Sequence, residues 1–95
     1  MDYYQWSHEK NARLKEERGI SFERIVMHID QGAVLDVYKH PNVEKYSNQQ
    51  ILVVEIDGYA WLVPFVESDV GRFLKTAMPS RKATRTYLGD GNEKI

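Results

Sequence analysis

The sequence predicts an α+β fold, with two N-terminal helices, a four-stranded antiparallel sheet and a short C-terminal helix. Residues 7–32 carry helix caps and an apolar stripe of helical spacing, whereas residues 33–79 carry β-rich runs separated by turn signals. A run of helices followed by a run of strands is typical of α+β proteins. The 95 residues, 42% of them hydrophobic, suffice for one core. We therefore expect residues 1–95 to form one domain, with a flexible tail at 89–95.

Two helices are expected in the N-terminal third of the chain. Ser7 is suited to cap the first, over residues 8–18, and Gly19 to end it in a left-handed conformation. Ser21 is suited to cap the second helix, which Gly32 would stop. The apolar residues of this second helix recur at i, i+3, i+4 and i+7 and should face the core: Phe22, Ile25, Val26 and Ile29.

The first strand is expected over residues 33–39, which are rich in β-branched and apolar side chains. If its side chains alternate strictly, three apolar residues form the core face: Ala33, Leu35 and Val37. The other face would then present Val34, Asp36 and Tyr38. His40-Pro41-Asn42 would end the strand, because proline cannot donate to a ladder, and a mostly polar loop would follow at 42–49.

A β-hairpin is the clearest local signal in the sequence. Asp57-Gly58 separates two β-rich runs, 51–56 and 59–66, and favours a type I′ turn, which needs positive φ at both positions. Such a turn fixes the register, which pairs Ile56 with Tyr59, Val54 with Trp61 and Leu52 with Val63. Both faces are largely apolar, which indicates central strands covered on both sides. Pro64 predicts that its end of the strand is unpaired or bulged.

A last strand and a short helix complete the predicted fold. The strand would span residues 72–77 after a turn at 67–71, with alternating faces that place Leu74 and Ala77 on opposite sides. Met78-Pro79 would end it. Ser80 would then cap a helix over residues 81–88, stopped by a glycine.

The net charge of −1 hides an uneven distribution. Residues 1–69 carry 7 basic and 12 acidic side chains, whereas residues 70–89 carry five basic side chains and no acidic one. We call residues 70–89 the basic segment; its cations are Arg72, Lys75, Arg81, Lys82 and Arg85. Such asymmetry indicates an anionic partner, most often nucleic acid. The alternatives are a solvated strand and helix, or a segment that neutralises the acidic N-terminal part.

Several function classes lack their signatures. The chain has no Cys and three widely spaced His, so we expect no disulfide, no metal site and no cofactor. It has no phosphate-binding glycine loop and no nucleophile elbow. Its apolar runs are too short to span a bilayer and its start has no signal-peptide pattern, so we expect a cytoplasmic protein without a membrane partner.

Two clusters of side chains are candidates for chemistry. Cations of the basic segment are suited to bind RNA phosphates, and Arg81 and Arg85, four residues apart, would share a helix face. A second cluster at the end of the first strand joins an imidazole, two cations and a phenol: Lys39, His40, Lys45 and Tyr46. Such groups can serve as general acids and bases when a 2′-hydroxyl attacks its own phosphate.

These clusters give a set of candidate site residues. We predict that three residues are catalytic: His40, Lys45 and Arg81. We predict that six others bind RNA: Lys39, Tyr46, Arg72, Lys75, Lys82 and Arg85. The alternative for the second cluster is a strand-end histidine beside Pro41 and a solvated loop. Tyr87 can stack on a base or close its helix onto the core.

The sequence resembles the BrnT family of bacterial type II toxins, which have a RelE-like fold. Three segments carry the resemblance: Trp6-Ser7-His8-Glu9-Lys10-Asn11, Arg18-Gly19-Ile20-Ser21-Phe22-Glu23 and Ser80-Arg81-Lys82-Ala83-Thr84-Arg85. The resemblance implies a ribonuclease that blocks translation and is held inactive by an antitoxin from the same operon. That antitoxin would be of the ribbon-helix-helix type, so DNA would be contacted only through it.

Two classes of function therefore stay open at the level of sequence. The first is a metal-independent endoribonuclease toxin, with RNA lying between residues 39–46 and the basic segment. The second is a non-catalytic module whose basic segment docks an acidic antitoxin or another protein. Within the wider RelE-like fold, a toxin directed at gyrase is a further alternative.

Overall fold

The computed structural model describes residues 3–89 and confirms the α+β class. Helix α1 spans His8–Arg18 and helix α2 spans Phe22–Asp30. The C-terminal helix, α3, begins as one α-helical turn at Arg81–Ala83 and continues as a π-helix at Thr84–Leu88. No helix in this described part of the chain is long and apolar enough to cross a membrane.

Within the described residues the sheet has six strands of mixed direction, so the prediction of four antiparallel strands was wrong. The strands are β1 at Tyr4–Gln5, β2 at Val34–Lys39, β3 at Gln49–Ile56, β4 at Tyr59–Ser68, β5 at Gly71–Leu74 and β6 at Met78–Pro79. Their order is β1-β5-β4-β3-β2, and β6 pairs with β4. Among the strands of residues 3–89, only β1 and β5 pair in parallel; the remaining pairs are antiparallel.

Helices α1 and α2 begin where the sequence predicts. The Ser7 hydroxyl accepts a hydrogen bond from the Lys10 N–H at 3.2 Å, which caps α1. Gly19 follows the helix with a φ of 68°, the left-handed conformation that glycine adopts without a steric penalty. The Ser21 hydroxyl accepts from the Arg24 N–H at 3.1 Å and caps α2 in the same way.

The hairpin is confirmed residue by residue. Asp57 and Gly58 have φ values of 54° and 79°, as a type I′ turn requires. The predicted pairs of β3 and β4 are all present, from Ile56 with Tyr59 to Leu52 with Val63.

Pro64 interrupts one edge of β4 without ending the strand. Its carbonyl accepts a hydrogen bond from the Lys75 N–H at 2.8 Å, so its nitrogen also faces the β5 side, between the stretches that pair with β5 and β6. No ladder bond to β3 is lost, and β4 continues to Ser68. Beyond Pro64 the strand stays paired, with β3 to Val66 and with β5 to Ser68, so the prediction of an unpaired or bulged end was wrong.

Strand β1 has no counterpart in the prediction, because two residues are too few to show a period. It lies beside β5, where the Arg72 N–H donates to the Tyr3 carbonyl at 2.8 Å. A Cβ on Gly71, which has a φ of 128°, would stand 2.2 Å from the same carbonyl oxygen. The close approach of β1 therefore requires glycine at this position.

The predicted last strand is divided in two. Residues 75–77 are not in a strand, and Leu74 and Ala77 both lie fully buried in the same core. The predicted alternation therefore fails after the break. Met78–Pro79, predicted to end the strand, forms β6 beside β4. The predicted tail lies outside the described residues from position 90 onward.

A β-bulge in β2 also overturns the predicted faces of that strand. The register passes from Val34 opposite Val54 directly to Asp36 opposite Val53. The extra residue, Leu35, packs with the core under α3, whereas Val34 packs with the core under α1 and α2. Strict alternation groups Leu35 with Ala33 and Val34 with Asp36. The bulge exchanges the faces of Leu35 and Val34, because one extra residue shifts the alternation of side chains by one position.

The two faces of the sheet carry different cores. The α1/α2 face holds the larger one, which includes Leu14, Phe22, Ile25, Leu52, Val54, Val63 and Phe65. The α3 face holds a smaller one, formed by Val53, Ala60 and Ala83 with Leu35, Tyr38, Leu62 and Leu88. Because β3 and β4 contribute to both cores, they are covered on both sides, as predicted, but on the α3 face only toward the hairpin end.

Candidate functional site

The C-terminal helix is fixed to β4 by hydrogen bonds at the hairpin end of the α3 face. The Thr84 hydroxyl accepts from the Ala60 N–H at 2.8 Å and donates to the Ser80 carbonyl at 2.8 Å. The Ser80 N–H donates to the Ala60 carbonyl at 3.0 Å, and its hydroxyl caps the helix by accepting from the Ala83 N–H. Both backbone groups of Ala60 are thereby satisfied where no neighbouring strand reaches them.

A cleft of about 370 Å³ lies between α3 and β2. Tyr38, Leu62 and Ala83 contribute its buried and half-buried lining, and Lys82, Thr86 and Tyr87 contribute exposed side chains. Asp36 lines the same cleft, because the bulge in β2 places it on the α3 face. The cleft thus combines apolar surface, two phenols, one carboxylate and one ammonium group.

Asp36 is held in place by two donors. Its Oδ1 accepts from the Val37 N–H at 2.7 Å, and its Oδ2 accepts from the Tyr87 hydroxyl. The hydrogen bond to Asp36 raises the pKa of Tyr87, and burial, together with the Asp36 charge, raises the pKa of Tyr38. Both phenols are therefore protonated at neutral pH, and Tyr87 uses its proton in the bond to Asp36.

Three cations of the basic segment lie on α3, and one of them, Lys82, lines the cleft. Arg81, Lys82 and Arg85 are exposed, and within residues 3–89 none of them forms an ion pair. The last part of α3 is a π-helix, which has more residues per turn than an α-helix. The prediction that Arg81 and Arg85 share a helix face assumed α-helical spacing and therefore does not apply directly.

The second predicted cluster does assemble. The rings of His40 and Tyr46 are 4.3 Å apart between centroids, and the Lys45 Nζ lies 5.4 Å from the Tyr46 ring centroid. The His40 Nδ1 accepts a hydrogen bond from the Asn42 N–H at 3.0 Å. In the neutral ring the proton therefore resides on Nε2, which acts as a donor.

The two clusters lie at opposite ends of the strands. The helix α3 sits over Ala60 and Leu62, near the hairpin turn, whereas the loop with His40 borders Gln49 and Val66 at the far end. Four residues of extended strand separate Leu62 from Val66, roughly 14 Å. The structure therefore does not bring His40 and Lys45 next to Arg81.

Lys75 lies between the two clusters. The register aligns Gln49, Val66 and Phe73 in one row across the α3 face, beyond the part that α3 covers. Phe73 is 37% exposed, and the Lys75 Nζ lies 5.8 Å from the centroid of its ring. Exposed cations and an exposed aromatic ring thus continue from α3 toward the His40 loop.

Arg72 is placed apart from this track, whereas Lys39 lies at its His40 end. The Arg72 guanidinium lies over the ring of Phe65, 4.9 Å from its centroid, and its Nε is 3.6 Å from Glu67. Since Phe65 belongs to the α1/α2 face, Arg72 is not on the face that carries Lys75. Lys39 lines a depression of about 300 Å³ at the His40 end, together with Glu67.

The pairing of Asp36 with Tyr87 is the part of the site that sequence reasoning missed. The available signal was Asp36, the one carboxylate of the apolar strand β2. The alternation of side chains along a strand does not predict a partner such as Tyr87, which is 51 residues away. Within residues 3–89 no group of three or more His, Asp or Glu side chains is arranged to hold a metal ion. Comparison of the chain with protein-family models, with curated proteins and with solved structures finds no match.

Proposed function

We propose that this protein is a cytoplasmic toxin of a bacterial type II toxin–antitoxin system, with a RelE-like fold, which cleaves RNA and thereby blocks translation. The observation that carries the proposal is the set of exposed cations on the α3 face, unpaired within residues 3–89, beside exposed aromatic rings. Cations that track a backbone and rings on which bases stack are the two elements of single-strand binding.

In this proposal RNA crosses the α3 face from the C-terminal helix to the His40 loop. Arg81, Lys82 and Arg85 bind phosphates at one end, and Lys75 continues the track beside Phe73. Arg81 then anchors RNA away from the reacting bond. Arg72, on the other face, has no role in binding RNA.

Cleavage takes place at the His40 loop. The 2′-oxygen attacks phosphorus and the bond to the 5′-oxygen breaks, while the Lys45 ammonium gives a proton to that leaving oxygen; a 2′,3′-cyclic phosphate and a 5′-hydroxyl remain. The Nε2–H of His40 and the Lys45 ammonium donate to the phosphate oxygens and stabilise their added negative charge. The His40 Nδ1 is the nitrogen that can accept the 2′-hydroxyl proton, and it already accepts a hydrogen bond from the Asn42 N–H. That hydrogen bond must break before Nδ1 can take the proton.

The proposal is tested by incubating the purified protein, free of antitoxin, with naked RNA in excess EDTA and, separately, with translating ribosomes in a buffer that contains Mg²⁺. We expect fragments that end in a cyclic phosphate. His40→Ala should lower the cleavage rate by about 10²–10³-fold, the usual effect of removing a positioned donor. His8→Ala, an exposed histidine on α1, is the matched control and should leave the rate unchanged.

Two outcomes would count against a metal-independent nuclease. Intact RNA at high protein concentration would exclude cleavage, and cleavage that EDTA abolishes would exclude the metal-independent route. Tight binding to an acidic protein encoded by a neighbouring gene, without cleavage, would favour the non-catalytic module. Growth arrest on expression, relieved by a ribbon-helix-helix protein from that gene, would support the toxin.

A further inference from the structure

The cleft between α3 and β2 has a chemistry that phosphate binding does not use. Its lining offers apolar surface from Leu62 and Ala83, phenol rings from Tyr38 and Tyr87, and the carboxylate of Asp36. At about 370 Å³ it lies within the size range of small-ligand pockets. Extending the proposed function, on which this inference rests, we propose that the cleft takes one unstacked base of the bound RNA and that Asp36 selects guanine.

The carboxylate is the reason for guanine. An ionised carboxylate only accepts hydrogen bonds, and its two oxygens match two adjacent donors. Guanine presents such a pair on its Watson–Crick edge, the N1–H and the 2-amino group. Adenine and cytosine place an acceptor beside their amino group, and uracil flanks its single N–H with two carbonyls. Single-stranded RNA is commonly read on this edge while the base stacks on an aromatic side chain.

Asp36 is fixed in position and retains capacity for a ligand. The Val37 N–H and the Tyr87 hydroxyl occupy one acceptor site on each oxygen. A carboxylate has about four such sites, so about two remain. The bulge in β2 holds the residue on the α3 face. A side chain held by donors on both oxygens can discriminate between hydrogen-bonding patterns, because it does not reorient to suit the wrong base.

The charge of Asp36 also requires an explanation. On a face that carries Lys75, Arg81, Lys82 and Arg85, a carboxylate repels phosphate, and within residues 3–89 it forms no ion pair with any of these cations. A base edge with two hydrogen-bond donors is attracted by the Asp36 carboxylate, so the negative charge favours such a base. Lys82, which lines the same cleft, is placed to hold the phosphate of the same nucleotide.

The test measures binding of short 2′-O-methyl RNAs by fluorescence anisotropy. Blocking the 2′-oxygen removes the nucleophile, so these oligonucleotides are bound and not cleaved. Each consists of uridines with one central guanine, inosine or adenine. We expect guanine to bind about 5- to 150-fold more tightly than adenine, the usual range for one bidentate base contact. Inosine, which lacks the 2-amino group, should fall between them.

Asp36→Asn is the decisive variant. Its amide keeps an acceptor for the Val37 N–H but presents one donor and one acceptor to the base. We expect it to lose the preference for guanine and to gain affinity for adenine, while binding to the all-uridine oligonucleotide is kept. Asp30→Asn, an exposed carboxylate on α2, removes the same charge far from the cleft and should keep the preference.

A second variant keeps the inference open to refutation if Asp36→Asn does not fold. Tyr87→Phe retains the ring but leaves Asp36 held by the Val37 N–H alone, so the guanine preference should be smaller than in the wild type; a preference of unchanged size would overturn the role of the held carboxylate. Equal affinity of the wild type for guanine and adenine would overturn base selection and leave RNA binding intact. No binding of any oligonucleotide would refute the proposed function as well.

Discussion

The two faces of the sheet differ in how completely they are covered. On the α1/α2 face, two helices bury Phe22 and Phe65 entirely. On the α3 face, one short helix covers the hairpin end, and Phe73 stays 37% exposed beside Lys75. Apolar surface that is left open has contributed nothing to folding. The comparison indicates that the α1/α2 face stabilises the domain, whereas the uncovered part of the α3 face is available for binding.

The largest expected effect is on stability and distinguishes the two faces. Phe22→Ala should lower the free energy of unfolding by about 3–5 kcal/mol, because it leaves a cavity where the ring stacks on Trp6. Phe73→Ala, the matched variant, should cost about 1 kcal/mol or less and should instead weaken RNA binding. Denaturant unfolding measures the first effect and anisotropy the second. Equal losses of stability would contradict the division.

The attachment of α3 should be the next most sensitive feature. Thr84→Val removes the hydroxyl that accepts from the Ala60 N–H and donates to the Ser80 carbonyl. We expect a loss of about 1–3 kcal/mol, since the Ala60 N–H is left without a partner. Thr86→Val, at an exposed position of the same helix, is the control for hydroxyl removal. Thermal and denaturant melts that do not separate the two variants would argue against this attachment.

Charge removal should separate the faces by their salt dependence. Arg81→Gln combined with Arg85→Gln should reduce the slope of log affinity against log salt by about 0.7 for each lost phosphate contact. Arg72→Gln, on the α1/α2 face, should leave the slope unchanged. Binding of a labelled single strand at several salt concentrations gives both numbers. A smaller salt slope for Arg72→Gln than for the wild type would show that RNA contacts the α1/α2 face, against the account.

The smallest expected effect concerns pH, to which the faces should respond in opposite directions. Hydrogen bonds from Asn11 and from the backbone lower the pKa of Glu23, so its stabilising contribution is present above the ordinary glutamate value and lost as pH falls through the lowered one. The raised pKa of Tyr87 has the reverse consequence. Its contribution is complete below the ordinary tyrosine value and lost as pH rises through the raised one.

Unfolding measured from acid to alkaline pH tests these contributions. Glu23→Gln should flatten the acid side of the stability profile, and Tyr87→Phe the alkaline side. A Tyr87→Phe profile identical to the wild type below pH 10, where the contribution of the bond to Asp36 is complete, would show that the bond adds no measurable stability.

The sequence predicts the α1/α2 face far better than the α3 face, for physical reasons. The caps at Ser7 and Ser21 and the turn at Asp57-Gly58 are local, because each depends on residues a few positions apart. A bulge such as the one at Leu35 leaves the composition unchanged and shifts only the alternation of side chains, so strict alternation assigned Val34 and Leu35 to the wrong faces of the sheet.

The candidate site was predictable only in part for the same reason. Charge counting identified the basic segment, but its residues divide between two faces, with Arg72 on one and Lys75 on the other. The contact of His40 with Tyr46 follows from a short loop and could be expected. The bond from Tyr87 to Asp36 joins residues 51 positions apart through tertiary packing, which no local pattern encodes.

The most direct test of the account is to locate bound RNA on the protein by NMR. An uncleavable 2′-O-methyl oligonucleotide is titrated into isotopically labelled protein, and the backbone amide shifts are followed. The account predicts that shifts concentrate at residues 36–46, Val66, Phe73, Lys75 and residues 81–87, while the amides of α1 and α2 stay in place. Shifts confined to α1 and α2, or none at saturating RNA, would contradict the claim that the α3 face binds RNA.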